Sequence, residues 1–238
     1  MTHEPITYIF NIPVGPTLVS VMLLDIIFLV LLVLLRRKIN FIPSKLQAFF
    51  ELVYEFIEDL AKQVLDSKLV RALTPYLVFA FLFIWFGNYL GLLPGMETIG
   101  FYRHGHFIPL FKGPTSDLNL TLAMGLIVFL TVHTITLISK GFKGWIKHFF
   151  ITDPLYLIVI FLAVGLLELM LEPVKYLVLG IRLYGNINAG EMLIGSMSSV
   201  PLVALPFMLL ELLVGVLQAL IFVGLTVAYF ATMLNDHH

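Results

Sequence analysis

The chain contains no cysteine, which removes disulfides, thiolate metal sites and thiol nucleophiles together and leaves the redox compartment open. Charge is scarce as well. Asp, Glu, Lys and Arg make up 12% of the 238 residues against 60% hydrophobic residues, and mean hydropathy is +1.00. No soluble domain of this length sustains that balance, so the composition describes an integral membrane protein. The net charge of -1 provides no basic footprint for nucleic acid. No glycine-rich phosphate loop is present, nor HExxH, nor a nucleophile set beside a base, so nucleotide hydrolysis and intramembrane proteolysis both lack their chemistry. The first residues, MTHEPITYIFNIPVGP, carry no basic region and no small-residue cleavage site, and the chain is expected to keep its start.

What is abundant is long apolar sequence. Pro16 to Leu35 is long enough to cross a hydrocarbon core, and the Arg36, Arg37 and Lys38 that follow place its end in the cytoplasm and the N-terminus outside. Residues 43–66 differ. Leu46, Phe49, Phe50, Val53, Phe56, Ile57, Leu60 and Val64 recur at three and four residues, with Glu51, Glu55, Glu58, Asp59, Lys62 and Gln63 opposite, which predicts an amphipathic interfacial helix. Crossing helices are expected at 75–93, ended by Pro94 and Gly95, and at 118–138. The loop between them holds His104 and His106, an HxH with no third ligand, and no metal site is assigned. Thr152, Asp153 and Pro154 read as the cap and first turn of a helix over 154–195, and the last helix is placed at 201–234. These last two have 42 and 34 residues. As continuous helices they extend about 63 and 51 Å, too long for an upright crossing, so they are tilted, kinked or broken. Of 14 Lys and Arg, ten fall at 36–45, 62–71 and 140–147 on the expected inner side, while Arg103 and Lys112 fall outside, and Lys175 and Arg182 lie within the membrane. The C-terminus is therefore cytoplasmic.

Arg182 is the sharpest signal. A guanidinium cannot shed its proton, so at bilayer depth it faces water, a counter-ion or a moving partner charge. A structural arginine satisfied by backbone carbonyls is the competing reading. Glu168, Lys175 and Arg182 are seven apart and drift only about 20° per step, so they share one helix face, which Asn186 joins. Glu191 points to the other side. On the last helix Glu211, Gln218 and Tyr229 again fall on one face. Folding the pair at Ser198 sets Asn186 opposite 211, turns Gln218 towards the arginine, and leaves Glu211 on the side of Asn186 and Glu191. Glu191 and Glu211 are expected to titrate as a coupled pair and relay protons. Asp25, Asp117, Asn119 and Tyr229 are candidates for an outer half-channel, and Glu168 and Lys175 for an inner one. Arg182 between two half-paths blocks a direct leak yet attracts a carboxylate carried past on another subunit. A secondary transporter binding an anion is the alternative, although no inverted repeat is visible.

Gly180-Ile-Arg-Leu-Tyr-Gly-Asn-Ile-Asn-Ala-Gly-Glu191 and Leu217-Gln-Ala-Leu-Ile-Phe222, with weaker support from Pro114-Thr-Ser-Asp-Leu-Asn-Leu-Thr121, resemble subunit a of F-type ATP synthases. The resemblance implies an all-α integral membrane protein with five membrane-embedded helices and one amphipathic interfacial helix. Its last two helices form a strongly tilted hairpin against a rotor ring, and the whole chain is one multi-pass domain. It implies a non-catalytic, proton-translocating stator subunit in a bacterial inner membrane. The implied partners are the c-subunit ring, the peripheral-stalk b subunits, the remaining synthase subunits and lipid, with no nucleic acid and no cofactor. Arg182 resembles the essential stator arginine. Asn186, Glu191, Glu211 and Gln218 resemble the outer half-channel, and Glu168 an inner acid. Tyr184 stands where phenylalanine is more usual, and Asn188 is more polar than usual. Two acids, Glu191 and Glu211, replace the frequent histidine and glutamate pair and leave room for a sodium-translocating version.

Overall fold

Backbone polar groups in hydrocarbon must be satisfied within the chain, and apolar runs of this length satisfy them as helices. The computed structural model describes residues 7–9, 12–37, 43–93, 99–103, 106–149, 158–197 and 201–234. Six α-helices run through them: α1 (Pro16–Arg37), α2 (Lys45–Lys62), α3 (Ser67–Leu92), α4 (Leu118–Phe149), α5 (Ile158–Met197) and α6 (Pro201–Leu234). Two small antiparallel hairpins accompany them, β1 (Thr7–Ile9) with β2 (Ile12–Val14) and β3 (Gly100–Arg103) with β4 (His106–Pro109). The expected helix stop at Pro94 and Gly95, the cap at Thr152 to Pro154, the fold point at Ser198 and the side chain of His104 lie outside the described residues.

The helix ends show which local signals prevail. Pro16 opens α1 where its missing N–H costs nothing. Ser44 caps α2, its hydroxyl accepting the Gln47 N–H at 3.3 Å. Val53, Ile57 and Ala61 of α2 are buried, while Glu51, Glu55 and Asp59 are exposed, as expected for an amphipathic helix. Lys62 lies 2.9 Å from Glu58 and 3.2 Å from Asp59, and hydrogen bonds to Glu58 and then Asp59 hold its pKa above the ordinary lysine value.

Two expected boundaries move. The helix expected to begin at Pro75 begins at Ser67 and runs through the proline. The helix expected to end at Ile138 continues to Phe149 across a kink at Gly141, whose φ of 71° suits a residue without a Cβ. Twelve residues separate His133 from Trp145, roughly 18 Å along a straight helix, yet their rings are 5.9 Å apart. The kink therefore folds the end of α4 back onto its own flank. Both α5 and α6 are continuous, so the possibility of shorter broken segments is not realised.

Among the described residues four helices are apolar enough, by length and composition, to cross a membrane: Pro16–Leu34, Ser67–Leu92, Leu118–Phe149 and Leu205–Leu234. The charged α5 is not among them. It nevertheless packs extensively along α4, as α3 packs along α6. Buried residues from α2 to α6, including Ile57, Leu77, Val128, Leu179 and Phe222, form one core. By contrast α1 is mostly exposed and stands off α3, leaving an apolar cavity of about 490 Å³ between Phe28, Leu32, Phe50, Val78 and Leu82, with Arg36 in its lining.

The α4 and α5 backbones touch at two glycines. A Cβ on Gly125 meets the carbonyl of Tyr176, and one on Gly180 meets the carbonyl of Thr121. Small residues permit such approach between membrane helices, where packing rather than hydrophobic exclusion drives association. Gly180→Val is expected to cost about 1–3 kcal/mol by overpacking, read as a lowered thermal midpoint of the purified protein in detergent. Gly224→Ala, where a Cβ meets nothing within 4 Å, is expected to leave the midpoint unchanged.

Candidate functional site

Gly180 faces α4, and two residues further along a helix the direction turns by about 200°. Arg182 consequently points away from α4. It is exposed among the exposed Val178 and Ile181, and makes no hydrogen bond or ion pair among the described residues. An unpaired guanidinium on an apolar helix face is costly in a membrane, and the reading as an arginine satisfied by nearby carbonyls has no contact to support it.

One turn along α5, Asn186 donates through Nδ2 to Oε1 of Gln218 on α6 at 2.7 Å. Gln218 is 1% exposed, and its Nε2 has no hydrogen-bond partner among the described residues. One further turn along, Gly190 faces the Glu211 carboxyl group, which occupies the space a Cβ would take. Glu211 is 6% exposed and its Oε1 is also without a hydrogen-bond partner among the described residues. Buried polar atoms without partners are uncommon, and each asks for an explanation.

These contacts make α5 and α6 antiparallel, but their register differs from the expected fold at Ser198. Glu211 lies opposite Gly190 rather than Asn186, a displacement of one turn. Gln218 reaches Asn186 rather than the arginine.

Glu191 points differently, towards the loop before α4. A Cβ on Gly113 would lie 3.4 Å from its Oε1, and one on Gly91 3.7 Å from it. The same loop feeds a buried polar seam. Thr115 Oγ1 donates to Asn88 Oδ1 at 2.6 Å, and Asn88 Nδ2 donates to the Gly215 carbonyl at 3.2 Å. Polar groups thus run from the loop, past the end of α3, to the turn of α6 between Glu211 and Gln218.

A second cluster lies on the other side of Arg182. Glu172 is 3% exposed; its Oε2 receives a bond from Lys175 Nζ, and its Oε1 receives one from the Tyr176 hydroxyl at 3.4 Å. Tyr229 of α6 stands with this group. Its hydroxyl donates to the Lys175 carbonyl at 3.5 Å, and its ring lies 4.9 Å from that of Tyr176. Tyr229, expected as an outer candidate, thus stands beside Lys175 rather than Glu211. Glu168 is half-buried with no hydrogen bond or ion pair among the described residues.

The other outer candidates are not drawn into the seam by any bond. Asp117 accepts the Asn119 N–H at 2.9 Å and so caps α4, and Asn119 is exposed. Asp25 is exposed on α1 and makes no hydrogen bond or ion pair among the described residues. Among the described residues no group of three or more His, Cys, Asp or Glu is placed to hold a metal ion.

The family model described as ATP synthase A chain matches residues 17–231. The chain belongs to that family. An ATP synthase subunit a from Gloeobacter violaceus is 35% identical over 225 residues, covering 94% of this chain and 85% of the relative. One from Moorella thermoacetica is 30% identical over 242 residues and covers all of both chains. A third, ATP synthase subunit a 2 of Vibrio campbellii, is 31% identical over 202 residues, covering 82% of this chain and 78% of the relative. For a member of this family, a multi-pass membrane protein, nucleotide chemistry is not expected of the chain itself, which agrees with the absence of a phosphate loop.

Three contributors to the site escape the sequence reading. Glu172 has a legible signal, since it stands three residues before Lys175 and four after Glu168 on the same helix. Gly190 is visible only as one turn beyond Asn186, and its role depends on what α6 brings to it. Asn88 lies inside an apolar run 127 residues from its partner Gly215. Gly190→Ala is expected to displace the Glu211 carboxyl group and lower ion flux through the assembled complex about tenfold, the equivalent of roughly 1.4 kcal/mol in a barrier. Flux in reconstituted vesicles measures it, with the amount of chain retained in the complex as the assembly check.

Proposed function

We propose that the chain is the proton-translocating stator subunit of an ATP synthase, with two offset half-channels that load and unload carboxylates on a rotating c-subunit ring. The observation that carries this reading is the contrast around Arg182. The arginine is exposed and has no ion-pair partner among the described residues, whereas one turn along the same face Asn186 is bonded to Gln218 of α6, and the Glu211 carboxyl group is packed against Gly190.

In this mechanism Glu191, Glu211, Gln218 and Asn186 form the outer half-channel. Glu191 faces the loop before α4, which the positive-inside count assigns to the outer side. Glu168 lines the inner half-channel, and Lys175, an inner candidate from its place on the stripe, stands beside that path engaged by Glu172. Asp25, Asp117 and Asn119 lie at the outer mouth.

A rotor carboxylate arriving beside Arg182 is ionised, since the fixed positive charge stabilises the carboxylate and repels a proton. Having passed the arginine, it takes a proton from the outer path and enters the lipid neutral, completing nearly a full turn before losing that proton to the inner path. The same guanidinium bars a proton from running directly between the two half-channels. Each elementary charge moved through 100 mV supplies about 2.3 kcal/mol, and repeated steps accumulate the work of one ATP. Five helices are embedded, α5 among them, with α5 and α6 tilted along the rim of the ring. The N-terminus is outside and the C-terminus cytoplasmic, in a bacterial inner membrane. The peripheral-stalk b subunits hold the chain against rotation.

ATP-driven acidification of vesicles carrying the assembled complex tests the reading. Arg182→Ala is expected to abolish acidification and coupled synthesis while permitting passive leak; normal pumping overturns the proposal. Glu211→Gln is expected to slow proton entry with assembly intact, and unchanged flux across a pH series removes Glu211 from the path. Sodium uptake that persists with a protonophore identifies the ion as sodium instead.

A further inference from the structure

Two cations, Lys175 and Arg182, lie along one strip of α5, seven residues and about 10.5 Å apart. Their surroundings differ. Arg182 has no ion-pair partner among the described residues, while Lys175, with 37% of its side chain exposed, is bonded through Nζ to Glu172. Glu172 is one of the few buried carboxylates of the chain, and it is held on its other oxygen by Tyr176. The aromatic rings around it come from three helices: Tyr176 lies 4.9 Å from Tyr229 on α6 and 5.9 Å from His133 on α4. The kink at Gly141 brings Trp145 back to within 5.9 Å of His133. The carboxylate is therefore fixed, and Lys175 is bonded to it from a position three residues along the same helix.

A stator that works by presenting one cation to passing carboxylates is harmed by a second one nearby. An unneutralised ammonium two turns from Arg182 offers a competing resting point for the rotor carboxylate and retains it. We propose that Glu172 is a positioning residue that neutralises Lys175 and draws its ammonium off the rotor-facing side, leaving Arg182 as the single uncompensated cation that the ring meets. The proposal rests on the stator reading given above. It extends that reading by making the buried acid responsible for where the positive charge is not.

The test compares ATP-driven pumping by the whole reconstituted complex across five variants and wild type, with the amount of subunit retained in each preparation. Glu172→Gln releases Lys175 and is expected to lower pumping about tenfold. The double variant Glu172→Gln with Lys175→Gln, which removes the competing charge as well, is expected to recover to within about twofold of wild type, because no uncompensated ammonium is then left beside the ring. Glu172→Asp keeps the charge with a shorter reach and is expected to fall between Glu172→Gln and wild type. A purely structural pair makes the double variant as poor as Glu172→Gln, and that result overturns the proposal. So does wild-type pumping by Glu172→Gln. Where Glu172→Gln fails to assemble, Glu172→Asp decides in its place: reduced pumping restored by adding Lys175→Gln supports the proposal, and wild-type or unrestored pumping overturns it. Arg182→Ala separates the two levels of the argument. Normal pumping by that variant sinks the stator reading, whereas its loss together with wild-type pumping by Glu172→Gln sinks only the role given to Glu172.

Discussion

The seating of the Glu211 carboxyl group against the bare backbone of Gly190 sets how α5 and α6 lie on each other. A side chain at 190 would hold the helices apart or slide one along the other, since interiors yield little to added volume. With this contact made, Asn186 falls within hydrogen-bond distance of Gln218 and Tyr229 reaches the Lys175 carbonyl. The glycine crossing of α4 and α5 fixes the second coordinate, because the rotation that buries Gly180 against Thr121 turns Arg182 outward.

The result is an uneven treatment of polarity along one helix. Glu172 and Lys175 satisfy each other, Asn186 has Gln218, and Glu191 faces the loop, yet Arg182 and the half-buried Glu168 have no hydrogen bond or ion pair among the described residues. Hydrocarbon penalises every one of these groups, so a fold selected for stability alone has no reason to compensate Lys175 and leave the guanidinium bare. The same economy explains the aromatic enclosure around Glu172. A kinked α4 returns Trp145 towards His133, and the rings of α4, α5 and α6 close over a carboxylate whose counter-charge is supplied locally.

Much of the helical layout was legible because it depends on short-range physics. Apolar length marked α1, and the three-and-four spacing of Val53, Ile57 and Leu60 marked α2. Pro75 and the polar residues near Gly141 misled the boundaries for one reason: both read as punctuation in water. Inside a membrane bundle a helix persists through such residues because the surrounding helices hold it and no water competes for its backbone. Of the site, Arg182, Asn186, Glu191, Glu211 and Gln218 were visible as polar residues in apolar sequence. Glu172 was overlooked because the seven-residue stripe was traced from Glu168 to Lys175 and passed over the acid between them.

The sequence by itself determined the solvent this protein lives in, which stretches become helices and which polar residues demand an explanation, since each follows from composition and from angles along a single helix. Tertiary structure alone decided which of those residues meet. Register between α5 and α6, the placement of Tyr229 with Lys175 rather than Glu211, and the joining of Asn88 to Gly215 depend on backbone approach at particular glycines and on partners as far as 127 residues apart. Helical periodicity gives the direction in which each side chain leaves its own axis. It carries no measure of how far a neighbouring axis has slid, and that distance is set only when the two surfaces pack.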